Sequence, residues 1–188
     1  MMNRRDALAR VALIMGGTVL GAEAFLSGCT TAKTGLKFST DDIAFLNEVA
    51  ETIIPTTNTP GAKEAKVGEF MSVMVTDCYD EKNQTIFMEG IRTLQFKDAK
   101  SKIGKSFMEA NTQERHQLLV DIDKEAAAYQ KNKKSQDPKH YFTMMKELSL
   151  TGYFTSEIGA TKALRYVAIP GKYEGSIPYH KGDKAWAT

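Results

Sequence analysis

Catalysis in a chain of 188 residues needs nucleophiles, bases or metal ligands that converge on one place, so the reactive side chains set the first question. The three histidines, His116, His140 and His180, are scattered; there is no His-x-x-x-His, no Cys-x-x-Cys and no Cys-x-x-Cys-His for covalent haem. No Gly-x-Gly-x-x-Gly follows a strand pattern, so a dinucleotide site of the usual kind is not encoded. Thr155-Ser156-Glu157 sets two hydroxyls beside a carboxylate. With no histidine near in sequence, a helix cap or turn is the plain reading, and a small hydrolase using Ser156 or Thr155 is the sharp one. Asp121, Asp123 and Glu125 sit two apart, so on a helix they diverge instead of meeting at one ion. Asp77, Asp80 and Glu81 read as solvated or turn-forming, and Cys78, on an apolar stripe, as a small buried hydrophobe. Lys162 and Arg165 offer cations to an anion or a partner's carboxylate, or pair locally. The expectation is a chain with no catalytic residue, no cofactor and no metal of its own.

The N-terminus carries information of another kind. Arg4 and Arg5, followed by Leu8, precede an apolar run from Val11 to Leu26 that holds Gly16, Gly17 and Gly21. Paired arginines before a short apolar region resemble a twin-arginine export signal. Leu26-Ser27-Gly28-Cys29 matches the bacterial lipobox, in which Cys29 is lipidated and becomes the new N-terminus. The run is too short and glycine-rich for a comfortable permanent span, although a signal anchor is the alternative. These features predict a signal at 1–28, a flexible tether at 29–37 and a domain at 38–188. The mature protein would be lipid-anchored on the periplasmic side of a bacterial membrane. A net charge of +2, from intermixed Lys and Glu, gives no electrostatic footprint for nucleic acid. The basic run Lys131-Asn132-Lys133-Lys134 reads as a solvated loop.

The elements that would position any site are helical. Phe38-Ser39-Thr40-Asp41-Asp42-Ile43 predicts a helix capped by Ser39, with Asp42 reaching back and Phe38 stapled to Ile43. Ile43, Leu46, Ala50 and Ile53 then recur at helical spacing until Pro55, and the residues from Pro55 to Ala62 form a connector. Val67, Phe70, Met71, Met74, Val75 and Cys78 mark a second helix. Phe87, Ile91, Leu94, Ile103 and Phe107 mark a third, weakened at Gly90 and Gly104. Asn111-Thr112-Gln113-Glu114 opens a fourth, with Leu118, Leu119, Ile122, Ala126 and Tyr129 inward. Asp137-Pro138 starts a fifth with proline at its first position, burying Tyr141, Phe142, Met145 and Leu148. The fold class is all-α, a compact bundle of about five helices.

From Thr151 onward the pattern changes. Gly152, Gly159, Gly171 and Gly175, with Pro170 and Pro178, interrupt too often for one long helix, while aromatics recur too often for a disordered tail. The segment 151–188 reads as an extended, mostly irregular strap, either closing the domain's own helices or docking a partner. Its candidate partner anchors are Tyr153, Arg165, Tyr166, the Pro170-Gly171 turn and Tyr173. The polar end beyond Lys181 is frayed unless Trp186 docks.

The order G-Y-F-T-S-E-I-G-A-T-K-A-L-R-Y, followed by P-G-K-Y-E-G-S-I-P, resembles the C-terminal signature of the gluconate 2-dehydrogenase subunit 3 family. Ser176 departs from the pattern, since many members carry a cysteine there. The resemblance implies a non-flavin small subunit of a membrane-bound sugar or polyol dehydrogenase. The FAD would sit in a separate large subunit of glucose-methanol-choline oxidoreductase type, and electrons would leave through a cytochrome c subunit or another carrier. The small subunit would stabilise the large one and carry it, folded, through the twin-arginine channel. A free-standing lipoprotein that binds a sugar or cell-surface ligand through the aromatic segment is the alternative.

Overall fold

The computed structural model describes residues 36–187 apart from 170, 173 and 174. Six α-helices carry the chain, with no β-strand among the described residues. Helix α1, Thr40–Ile53, begins at the predicted cap. The Asp42 amide donates to Ser39 Oγ at 3.1 Å and the Ser39 amide donates to Asp42 Oδ2 at 2.9 Å. Two donors that a helix start leaves unpaired are thereby satisfied, worth about 1 kcal/mol. The helix stops where a residue before proline is pushed out of helical geometry, and Ile54 has φ −126° and ψ 82°. Phe45, Leu46, Val49 and Ala50 are buried, so the inward stripe contains Leu46 and Ala50 while Ile43 and Ile53 lie at its margins.

Helix α2, Val67–Cys78, buries Val67, Met71 and Val75. Cys78 is exposed, which corrects the expectation of a buried thiol. It is the last residue of α2, a turn beyond Val75, and its Sγ lies 4.0 Å from Met74 Sδ. Asp80 caps helix α3, Glu81–Arg92, by accepting the Asn83 amide at 2.7 Å. A π-helical turn, Thr93–Asp98, and helix α4, Ala99–Ile103, continue without a break to Gly104, whose φ of 75° ends the run. Gly90 does not weaken this stretch, contrary to the sequence reading. A Cβ there would lie 2.5 Å from Tyr141 Cβ, so the missing side chain lets α3 approach the last helix closely. The irregularity falls three residues later, in the π turn, which leads to Asp98 beneath the Tyr141 hydroxyl, 2.6 Å away.

Helix α5, Thr112–Asn132, opens on the predicted box, with the Glu114 amide donating to Asn111 Oδ1 at 2.9 Å. Leu118, Leu119, Ile122 and Ala126 face inward, whereas Tyr129 is part-exposed and donates to the Pro138 carbonyl at 3.1 Å. The three carboxylates of this helix diverge as expected, Asp121 to Lys124, Asp123 to Lys146 and Glu125 to Lys102. Helix α6, Tyr141–Thr155, starts later than Pro138. Asp137 and Pro138 are committed to a turn, in which the Asp137 carboxylate accepts the Lys134 amide at 2.9 Å and Tyr129 holds the Pro138 carbonyl. His140 is the cap instead, its Nδ1 accepting the Phe142 amide at 3.2 Å.

Helix α6 is the centre of the domain and packs on α1, α2, α3 and α5. It buries Phe142, Met144, Met145, Leu148 and Tyr153. Residues Thr151–Thr155 therefore belong to a core helix, and the irregular strap begins after them, not at Thr151.

Candidate partner-docking surface

The hydroxyls of Thr155 and Ser156 finish α6. Thr155 Oγ1 donates to the Thr151 carbonyl at 2.6 Å; Ser156 Oγ donates to the Tyr153 carbonyl at 2.6 Å and accepts the Gly159 amide at 3.0 Å. Both are occupied by local backbone, as the cap reading requires. The chain then passes through a second π turn, Gly159–Ala163. A Cβ on Gly159 would overlap the Tyr153 carbonyl oxygen, so only glycine passes here. Leu164, at φ −100° and ψ −177°, begins the extended segment.

One contact closes that segment on itself. The Arg165 amide donates to the Ala185 carbonyl at 2.8 Å and the Ala187 amide donates to the Arg165 carbonyl at 3.0 Å, a parallel bridge centred on Arg165 and Trp186. The Arg165 guanidinium carbon sits 3.8 Å from the centroid of the Trp186 ring. A cation on a half-exposed indole face is worth about 0.5–1 kcal/mol. Lys184 Nζ donates to the Lys162 carbonyl and adds a second tie at the base. The chain end is thus docked through its single tryptophan.

Two limbs leave this clasp, 166–169 and 175–184, and their large apolar side chains face solvent. Ile169 is 85 % exposed and Tyr179 77 %, with Tyr166, Val167 and Ile177 exposed as well. Scattered exposed hydrophobes are ordinary, but this density on one short segment marks a candidate interaction surface. No backbone–backbone hydrogen bond ties 166–169 or 175–179 to other described residues.

The predicted anchors are distributed unevenly. Tyr166 and Gly171 are exposed on the segment. Arg165 is committed to Trp186 and its Nε is buried without a hydrogen-bond partner, so it shapes the segment from within. Tyr153 is corrected outright: it is 2 % exposed, and its hydroxyl donates to the Pro60 carbonyl at 2.6 Å, which makes it a core residue and not a docking anchor. Pro170, Tyr173, Cys29, Arg4 and Arg5 lie outside the described residues. The sequence reading missed Ile169, Ile177 and Tyr179, whose only signal was large apolar character amid turn formers.

Elsewhere, a groove of about 190 Å³ is lined by Ile53, Leu119, Val120, Phe142, His116 and the Asp123–Lys146 pair. That is small beside pockets that enclose a ligand, roughly 300 Å³ and upward, whereas a depression of about 480 Å³ between Tyr79, Asn83, Lys133 and Lys139 is lined mainly by polar and charged side chains. Among the described residues no group of three or more His, Cys, Asp or Glu is placed to hold a metal, and no helix is long and apolar enough to cross a membrane.

Comparison with known proteins gives one family. The family model described as Gluconate 2-dehydrogenase subunit 3 matches residues 40–171, from the first turn of α1 into the exposed segment. No curated protein and no solved structure matches the chain.

Proposed function

The chain belongs to the gluconate 2-dehydrogenase subunit 3 family, and from that membership we propose that it is the non-catalytic small subunit of a periplasmic, membrane-associated, flavin-dependent dehydrogenase of sugars or sugar acids. The observation that carries the reading is the extent of the match, which takes in all six helices. Catalysis belongs to a separate FAD-bearing large subunit of glucose-methanol-choline oxidoreductase type, with a cytochrome c subunit receiving electrons. The small subunit stabilises that partner and accompanies it through the twin-arginine channel, then remains tethered through lipidated Cys29. The exposed Tyr and Ile side chains beyond α6 support a subunit role, since large rigid apolar groups supply most interface energy.

Native purification in mild detergent tests this. The expected result is a stoichiometric flavoprotein partner and sugar-dependent dye reduction by the pair. A chain that purifies alone, or that itself carries flavin or haem, would refute the subunit reading. Solitary purification with saturable sugar binding would establish the free-standing lipoprotein in its place.

A further inference from the structure

We propose that the two limbs leaving the Arg165–Trp186 clasp enter an apolar groove on the dehydrogenase large subunit as extended chain, with the clasp setting their position. This rests on the subunit reading above and specifies where and how the partner is held.

Three observations carry it. The first is area. Tyr166, Val167, Ile169, Ile177, Tyr179 and Trp186 are 49, 43, 85, 41, 77 and 48 % exposed. Together they present on the order of 700 Å², close to the ~800 Å² that each side of a stable specific interface buries. The second is backbone. Among the described residues no backbone–backbone hydrogen bond ties 166–169 or 175–179, and Ile177 and Tyr179, two apart in a stretch without a bend, fall on one side of the chain when it is extended. An extended peptide with a free edge is recognised by strand addition, in which main-chain bonds give affinity and side-chain pockets give choice. The third is the clasp. The bridge between Arg165 and Trp186, reinforced by the guanidinium on the indole, joins the beginning and end of the segment before any partner arrives. Less ordering remains to be done on binding.

A protein groove fits these features better than a bilayer surface. Lys181, Lys184, Tyr179 and Trp186 would suit a lipid interface, but backbone groups that pair with no other backbone group among the described residues are expensive in hydrocarbon and are met by a partner's strand edge.

The test uses the full chain co-expressed with the large subunit that copurifies with it. Ile169→Asp with Tyr179→Asp is expected to weaken association at least thirtyfold, with the melting temperature of the lone small subunit unchanged because both side chains are exposed. Trp186→Ala should weaken association about tenfold and speed hydrogen exchange at the Arg165 and Ala187 amides. Trp186→Tyr, which keeps an aromatic face for the guanidinium, should restore most of the binding. Unchanged association of the Ile169/Tyr179 double variant overturns the inference and leaves the subunit reading intact. A variant that keeps the large subunit but loses binding to vesicles of anionic phospholipid, or changes from dimer to monomer, assigns the limbs to a bilayer or to a second copy and equally overturns it. If the wild-type chain brings down no dehydrogenase subunit, the subunit reading falls and the inference falls with it.

Discussion

Tyr153, on the last turn of α6, donates its hydroxyl to the carbonyl of Pro60, 93 residues earlier in the chain, at 2.6 Å. The connector between α1 and α2 is pinned at this point and at a second. Glu51 accepts the amides of Thr56 and Lys63 on its two carboxylate oxygens, at 2.8 and 2.9 Å. Tyr153→Phe removes the first pin while keeping the buried ring. It should lower stability by about 1–2 kcal/mol, read as a shift in the urea midpoint, and leave association with the large subunit unchanged.

The glycines supply a graded series. At Gly104 the backbone is left-handed, φ 75°, with open space around the site, so Gly104→Ala should lose about 1–2 kcal/mol through backbone strain alone. At Gly159 the new methyl group would meet the Tyr153 carbonyl, which is backbone and cannot swing away. Gly159→Ala should lose about 3 kcal/mol or more. Thermal unfolding of the two variants side by side checks the order, and a milder effect at Gly159 would contradict the packing described.

Acid should destabilise the domain in two stages. Burial lowers the affinity of His140 for its proton below the ordinary histidine value of 6.5, outweighing the attraction of Asp98 and Glu125. Protonation also removes the Nδ1 lone pair that caps α6. Because the folded value lies below the unfolded one, this contribution is complete above pH 6.5 and declines as pH falls through the folded value. Glu48 follows at lower pH. Burial disfavours its charge, but hydrogen bonds and charge from Lys63 and Arg115 prevail and hold it below 4.5. Its contribution is present above 4.5 and lost as pH falls through the lower folded value. Urea midpoints measured from pH 7 to 3 should decline across both windows. His140→Asn, which keeps an uncharged cap, should flatten the first decline, and Glu48→Gln the second.

Export and anchoring are open to direct test. If Cys29 is the lipidated residue proposed above, Cys29→Ser should leave unprocessed precursor or release soluble protein, since acyl chains there would supply the membrane affinity. Arg4→Lys with Arg5→Lys should abolish periplasmic delivery in fractionated cells. A serine variant that is processed and still sediments with membranes would exclude the lipobox.

The helical body was legible because its signals are local. Ser39 with Asp42, and Asn111 with Glu114, state where α1 and α5 begin within four residues of sequence. The stripes of the five predicted helices together name most of the core. What was not legible depends on contacts remote in sequence. Gly90 reads as a weak helix position until Tyr141 lies against it, and Pro138 reads as a helix start until Tyr129 claims its carbonyl. Tyr153 and Arg165 carry the residue types of interface anchors, yet Pro60 and Trp186 hold them within the chain. Beyond Leu150 the sequence showed that the chain becomes irregular, but placed the change at Thr151 instead of after Thr155, because Tyr153 is held in the core by a partner 93 positions away.

The clasp also bears on how this protein can change. A closed loop grows at low entropic expense, about 0.6 kcal/mol for each doubling of its length. Insertions next to Gly171, where an added Cβ would meet no atom within 4 Å, should therefore leave Arg165 and Trp186 paired and the six helices untouched. Removal of the Trp186 ring should loosen both limbs together, since they share that one bridge. Lineages can accordingly lengthen, shorten or rewrite the tip to suit a different large subunit while inheriting the bundle unchanged, and an epitope or affinity tag placed there would be carried at the same small expense.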